Sequence, residues 1–472
     1  MIRKPTFAEA ITPMLAMLLF LGIGYGKFGM PIQALLICAA AVAAIIAKRV
    51  GYSWKDMLNG ISDKIYSSLP SLFVMVCIGA MIASWMVSGT IPMMIYYGIK
   101  IIDPQFLFVT AFFVTAVIST FTGTSFGSAG TAGVAIMGIA IALGVPLEIA
   151  AGAVISGSVF GDKLSPFSDT TILAPIAAGS ELYDHIRHML YTTGAATIVC
   201  IIVYTIVGLN MPVSGMSNPE TVTSVLNNLE QLYNFNLLLL LPPLIIFWGA
   251  YSKKPTIPML LLVSAISIVM GVFFQDISLK TAMNAFVNGF NVNMLGNAHN
   301  TEMVKAITTL LNRGGLMGMM STVLLVFCAF AFAGIFSKAG CIEVILEKII
   351  HSINSVGSLI SATVASTLFM DIVTGSSYLA LLIPGEMFRP LYKKFKLAPK
   401  NLSRTLEDAG TCGVPIVPWS VAGTYMATTL GVATFDYLPW AILCYSSMIF
   451  AIIFGFTGFS IAKLDESEET CD

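Results

Sequence analysis

Charge is scarce in this chain: only 10% of its 472 residues are Asp, Glu, Lys or Arg. A soluble domain carries about 25%, so a water-facing globular enzyme is excluded at the outset. The charge that remains is balanced, with 24 Lys and Arg against 25 Asp and Glu. No basic tract suits nucleic acid. Histidine is scarcer still: His185, His188, His299 and His351 form no HExxH motif and no cluster with cysteine. The cysteines, among them Cys38, Cys77, Cys200, Cys328 and Cys444, are scattered mostly through apolar runs without ligand spacing. They read as small core residues. A metal-dependent intramembrane hydrolase therefore lacks its ligands, and no Walker motif supplies ATP chemistry. An A-x-A cleavage site is also missing after the first apolar run, where GYGKFGMP stands instead. This predicts a retained first span rather than a removed signal peptide.

What the chain has in abundance is apolar length. Hydrophobic residues make up 57% and the mean hydropathy is +0.86. Apolar runs of about 15–20 residues recur from Ile11 to Ile461, each near the ~20 residues that cross a ~30 Å hydrocarbon core. The pattern predicts an all-α polytopic membrane protein of about ten to twelve transmembrane or re-entrant helices. Arg3 and Lys4, then Lys48, Arg49, Lys55 and Lys64 two spans later, put the N-terminus in the cytoplasm by the positive-inside rule. A third basic cluster, Arg389 to Arg404, falls on the same side. The expected divisions are N-terminal helices and a loop (1–64), a first repeat (65–209), a polar linker (210–235), connecting helices (236–312), a second repeat (313–462) and an acidic tail (463–472).

The repeat is visible in short matches. TGTSF at Thr122–Phe126 recurs as TGSSY at Thr374–Tyr378, a shift of 252, and the same shift carries Pro166-Phe167-Ser168 onto Pro418-Trp419-Ser420. Ser88-Gly89-Thr90-Ile91 lies over Ala339-Gly340-Cys341-Ile342 with one residue of slippage. Residues 101–161 contain no Lys or Arg, whereas the turn equivalent to GVPLE in the second half is the basic cluster. One turn is then extracellular and the other cytoplasmic, which predicts two inverted repeats with broken helices at the midplane, a recurrent plan of secondary transporters. The alternative is two parallel halves whose outer loop merely lacks charge.

Charge inside a bilayer costs roughly 2.5–3.5 kcal/mol per group, so each instance needs a reason. FGDKLSPFSDTT, residues 160–171, places Asp162, Lys163 and Asp169 among small and hydroxyl residues around Pro166. Proline disfavours helix at the residue before it, so Ser165 should sit at a break. Freed carbonyls beside Ser165, Ser168, Thr170 and Thr171 make an oxygen-rich setting for a hard cation such as Na+, with Asp162 and Asp169 as the charged ligands. The competing explanation is an ordinary polar loop with Asp169 capping the next helix. Thr122-Gly123-Thr124-Ser125 and Thr374-Gly375-Ser376-Ser377 carry no bulky side chain, so helix N-termini there can face an anion; close helix packing would equally explain them. Asp371 is a third carboxylate for a cation or proton, or pairs with Lys338. Lys163 either neutralises Asp162 or attracts a substrate carboxylate. Trp419 falls at the repeated break or serves as a packing aromatic, and Glu407 and Asp408 are expected at the interface near the basic cluster.

Taken together, GTSFGSAGTAGVAIMG, FGDKLSPFSDTTILAP and VPIVPWSVAGTYM resemble the signatures of the NhaC family of sodium/proton antiporters, over nearly the whole chain. RKPTFAEA, GYSWKDMLNGISDKIY and SWMVSGTIPMMIYYGIK resemble the branch that contains a malate-proton/sodium-lactate antiporter. Phe126 and Ile172 depart from that branch, which carry Trp and Asn commonly at these places. The resemblance implies a multi-pass protein of the plasma membrane without a resident cofactor, exchanging Na+ and H+. Sodium-coupled exchange of malate and lactate is the alternative, and a homodimer is compatible with either. In this expectation a proton and Na+ compete for one carboxylate, because burial favours its protonated form and a bound cation its ionised form.

Overall fold

The computed structural model describes residues 2–211, 219–296 and 305–464. His299 and most of the acidic tail lie outside the described residues. Twenty-one principal helices follow one another: α1 Phe7–Tyr25, α2 Ile32–Val50, α3 Trp54–Ser88, α4 Thr90–Ile101, α5 Leu107–Thr122, α6 Ser125–Leu143, α7 Leu147–Leu164, α8 Asp169–Ala178, α9 Leu182–Leu209, α10 Pro219–Leu232, α11 Leu241–Tyr251, α12 Thr256–Phe274, α13 Leu279–Asn288, α14 Lys305–Leu311, α15 Met320–Lys338, α16 Cys341–Ile350, α17 Val356–Thr374, α18 Ser377–Lys394, α19 Pro399–Gly413, α20 Val421–Leu430 and α21 Ile442–Thr457. Among the described residues there is no strand, and a single isolated bridge joins Leu397 and Lys463. Among the described residues nine helices are long and apolar enough to cross a membrane, or up to eleven if each of two bent pairs is one span.

Local chemistry sets the helix ends. Thr6 with Glu9, and Ser53 with Asp56, form capping boxes that start α1 and α3. Left-handed residues close many of the others, and three pairs of them are each 252 positions apart: Gly123 and Gly375 (φ 66° and 63°), Gly144 and Lys396 (66° and 56°), Gly179 and Gly431 (78° and 75°). Between them the helices recur as well. Moving α8 by 252 positions gives the bounds of α20, and moving the start of α6 or α7 gives the start of α18 or α19. The repeat seen in a few short motifs thus extends to the backbone from α5 to α20.

Two large apolar cores hold the bundle, beside a minor cluster at Met93, Leu239 and Met270. The smaller draws α1, α2, α15 and α16 together around Leu36, Ala39, Phe332 and Phe336. The larger contains α5 to α9 and α17 to α21. Here glycines let backbones touch: Gly157 and Gly161 of α7 lie against the carbonyls of Phe112 and Ala116 of α5, as small residues do wherever membrane helices pack closely. The halves interlock. Helix α8 runs alongside α18, with Asp169 at Tyr378, Ala177 at Gly385 and Gly179 at Arg389. The equivalent exchange puts α20 along α6, with Tyr425 at Phe126 and Gly130, and Leu430 at Gly133.

Candidate functional site

The backbone stops twice near one place. Helix α5 ends at Gly123, and α6 restarts at Ser125 with Thr124 as its N-cap. Helix α7 ends at Ser165, which is extended (φ −79°, ψ 126°), and α8 restarts at Asp169 after Ser168. Pro166 lies inside the second gap and lacks the N–H that would continue the α7 ladder. Gly123 packs directly on Phe167: a Cβ there would come within 2.8 Å of the Phe167 carbonyl carbon. Only a residue that tolerates positive φ and has no side chain fits both demands.

The freed groups find partners across the break. The Ser125 N–H donates to Asp162 Oδ2 at 3.1 Å, so the α6 N-terminus faces that carboxylate. Thr171 donates to the carbonyls of Asp162 and Lys163 at 3.1 and 3.0 Å, and the first of these also accepts from the Ser165 N–H at 3.2 Å, so the hydroxyl supplements the last turn of α7 at the break. The Ser165 hydroxyl donates to the Thr120 carbonyl at 2.8 Å, tying α7 to α5. The hydroxyls of Ser168 and Thr170 are 3.1 Å apart. Tyr378, second in α18, donates to Asp169 Oδ2 at 3.0 Å, joining the two halves.

An open cavity of about 530 Å³ lies at the two breaks, with Ser165 and Thr171 behind its wall. Its wall includes Thr122, Gly123, Thr124 and Ser125 from the first glycine motif, and Gly375, Ser376 and Ser377 from the second. Asp162, Pro166, Ser168, Asp169 and Thr170 come from the broken segment, and Thr411 from α19. Lys253 and Lys254, between α11 and α12, also line it, and the Lys253 ammonium sits 5.3 Å from the centre of the Phe167 ring. Four sequence candidates of the second half lie behind this wall. Trp419 donates its indole N–H to the Ile372 carbonyl at 2.6 Å, and Ser420 caps α20 through the Gly423 N–H. Pro418 precedes them, half-buried, and Thr374 closes α17. Asp371 is fully buried against Gly413 and is not part of the cavity lining. Neither of its oxygens has a hydrogen-bond partner among the described residues, so pairing with Lys338 is not what holds it.

The Na+/H+ antiporter family matches residues 97–181 and 157–459 of this chain. The chain belongs to that family. A protein of Haemophilus influenzae named an uncharacterized Na+/H+ antiporter is 48% identical over 462 residues, 98% of each chain. The Na+/H+ antiporter NhaC of Alkalihalophilus pseudofirmus is 37% identical over 91% of this chain and 90% of its own. The malate-2H+/Na+-lactate antiporter of Bacillus subtilis is 32% identical over 97% and 96%. This antiporter is accordingly a multi-pass transporter in the lineage that the glycine and FGDK motifs indicated.

Two expectations about charge in the antiporter are corrected. Glu407 and Asp408 are not interfacial: both are fully buried, because α19 is enclosed on every side from Asn401 to Gly413. Lys163 neither pairs with Asp162 nor faces the cavity. It is fully buried and forms an ion pair with Asp408, which also accepts from Thr192 at 3.0 Å. Asp169 is the first residue of α8, and Ser168 holds the flanking position. A signal for α19 was present in the sequence. Ser403, Glu407 and Thr411 recur every four residues, with Arg404 and Asp408 beside them, so one polar stripe faces inward along the helix. Among the described residues no three His, Cys, Asp or Glu side chains are grouped to hold a metal ion.

Proposed function

We propose that this protein exchanges Na+ for H+ across the plasma membrane, with both ions competing for the oxygens around Asp162. The observation that carries the reading is the position of Asp162. It sits at the end of a broken helix, in the wall of the cavity, beside the hydroxyls of Ser125 and Ser168. Asp169 faces the same space, whereas Asp371 stands apart and is the least favoured of the three for contact with Na+. A proton and a Na+ ion cannot occupy the same carboxylate oxygens together, so occupancy by one expels the other. With alternating access, that competition gives exchange driven by the ion gradients and, per net charge moved, by roughly 2.3 kcal/mol per 100 mV.

We read the halves as inverted, with the N-terminus cytoplasmic. Supporting this, the basic turn at Lys396 lies beyond the end of α18, which runs with α8 toward Gly179. The uncharged turn at Gly144 lies beyond α6, along which α20 runs. The test is a proteoliposome carrying a pH-sensitive dye. Wild-type protein should move protons when Na+ alone is added outside, and Asp162→Asn should abolish this in folded protein. Transport at the wild-type rate in that variant would refute the site.

A second reading has one observation in its favour. The cavity is many times the ~30 Å³ share of a single water, and two lysines line it. An organic acid carried with Na+, malate or lactate as in the name of the Bacillus subtilis relative, would use both features. Proton movement only when both acids are present across the membrane would establish it over simple exchange.

A further inference from the structure

We propose that Glu407, from the second half of the chain, is a direct Na+ ligand that completes the site of Asp162; this rests on the exchange reading above. Glu407 is fully buried in α19. Its Oε1 accepts from the Thr411 hydroxyl at 2.7 Å, while Oε2 has no hydrogen-bond partner among the described residues. Its other polar neighbours are Thr170, Lys163 and Asp162. Lys163 already forms its ion pair with Asp408, the residue after Glu407. Glu407 is thus a buried carboxylate within electrostatic reach of Asp162, with the hydroxyls of Thr411 and Thr170 close by and one oxygen without a hydrogen-bond partner among the described residues; it lies behind the cavity lining, to which Thr411, Thr170 and Asp162 belong.

Such an arrangement is expensive unless something positive completes it, because an ionised carboxylate taken out of water costs several kcal/mol. Apolar packing would fill the same space at no such cost. Asp371 is the instructive contrast. It too is buried with free oxygens, but no hydroxyl donates to it among the described residues, and Leu368 and Met448 crowd the same Gly413 that it meets. Around Glu407 the neighbours are oxygen donors: Asp162 and Thr170 from the broken segment of the first half, and Thr411 from its own helix. Oxygen ligands of this kind suit a hard monovalent cation. The ion would be clasped between α7–α8 and α19. Binding would then join the two halves of the chain, with the Lys163–Asp408 pair fixing the same two helices one residue along.

The experiment measures binding of radioactive Na+ to the purified full-length protein, by scintillation proximity, for wild type, Glu407→Gln, Glu407→Asp and Asp162→Asn. Glu407→Gln should weaken Na+ binding at least about tenfold while the protein still elutes as a folded, monodisperse species. Glu407→Asp keeps the charge but withdraws it by one methylene, and should change the preference for Na+ over Li+. Wild-type affinity in Glu407→Gln, with binding lost in Asp162→Asn, would overturn the role of Glu407 and leave the exchange reading standing. Wild-type binding in Asp162→Asn would overturn the assignment of Asp162 instead. If Glu407→Gln does not fold, Glu407→Asp decides: an unchanged Na+/Li+ ratio refutes direct ligation.

Discussion

Replacing Lys163 by methionine removes one member of a fully buried ion pair and keeps the length of the side chain. In the native protein the ammonium of Lys163 meets Asp408 Oδ1, and both side chains are 0% exposed. The substitution leaves Asp408 with only the Thr192 hydroxyl at 3.0 Å, and its Oδ2 is already without a partner among the described residues. Breaking a buried pair on one side costs about 3–5 kcal/mol, whereas replacing both partners by apolar groups of similar volume is often neutral. Lys163→Met is therefore expected to destabilise by about 3–5 kcal/mol, Asp408→Leu by a similar amount, and the double variant by far less than their sum. Equilibrium unfolding by SDS in mixed micelles measures all four corners of the cycle. A loss below about 1 kcal/mol in either single variant, or a double variant that loses the full sum, would refute the ion pair as the junction of α7 and α19.

Two further perturbations separate backbone conformation from contact. Gly123→Ala and Gly431→Ala both force alanine to a positive φ, which costs roughly 1–2 kcal/mol. Gly431 has open space around it, while a Cβ at Gly123 meets Phe167 at 2.8 Å. Gly431→Ala should show only the conformational cost in a thermal melt and transport normally, whereas Gly123→Ala should be less stable and lose transport. Thr171→Val removes the hydroxyl shared by the carbonyls of Asp162 and Lys163 at nearly constant shape. It is expected to lose about 1–2 kcal/mol and to slow Na+-dependent proton movement; full activity would show that these carbonyls do not need Thr171.

Much of the architecture is legible before any coordinates, because its causes are local. A span announces itself by apolar length, a break by Pro166 after a helical run, and a stop by Gly123 or Gly375 at a position that requires positive φ. The FGDK and glycine motifs fall where the chain was expected to break, and they converge on one cavity. Lys253 and Lys254 escape such reading, since nothing in a short basic loop tells which part of the chain folds over it. Trp419 is similar: its partner is the Ile372 carbonyl, 47 positions away.

Glu407 and Asp408 were expected at the interface because the basic cluster is beside them, and their true place bears on how the site is built. Comparing the halves directs attention to positions that match, and these two do not. Moved back by 252 positions, Glu407 and Asp408 fall on Ile155 and Ser156 of α7; moved forward, Asp162 and Lys163 fall on Val414 and Pro415. Each half thus carries one charged doublet at a level where the other half has none. The backbone repeats, with matching left-handed turns and matching breaks, but the charges are staggered along it. A symmetric placement would bury two like doublets at equivalent positions on the two halves. The staggered placement sets Lys163 against Asp408 instead, which neutralises one charge of each doublet and leaves Asp162 and Glu407 as neighbours. Repetition supplies the two breaks, and departure from repetition supplies the charge beside them; in the exchange reading proposed above, these are the room for the ion and the means of holding it.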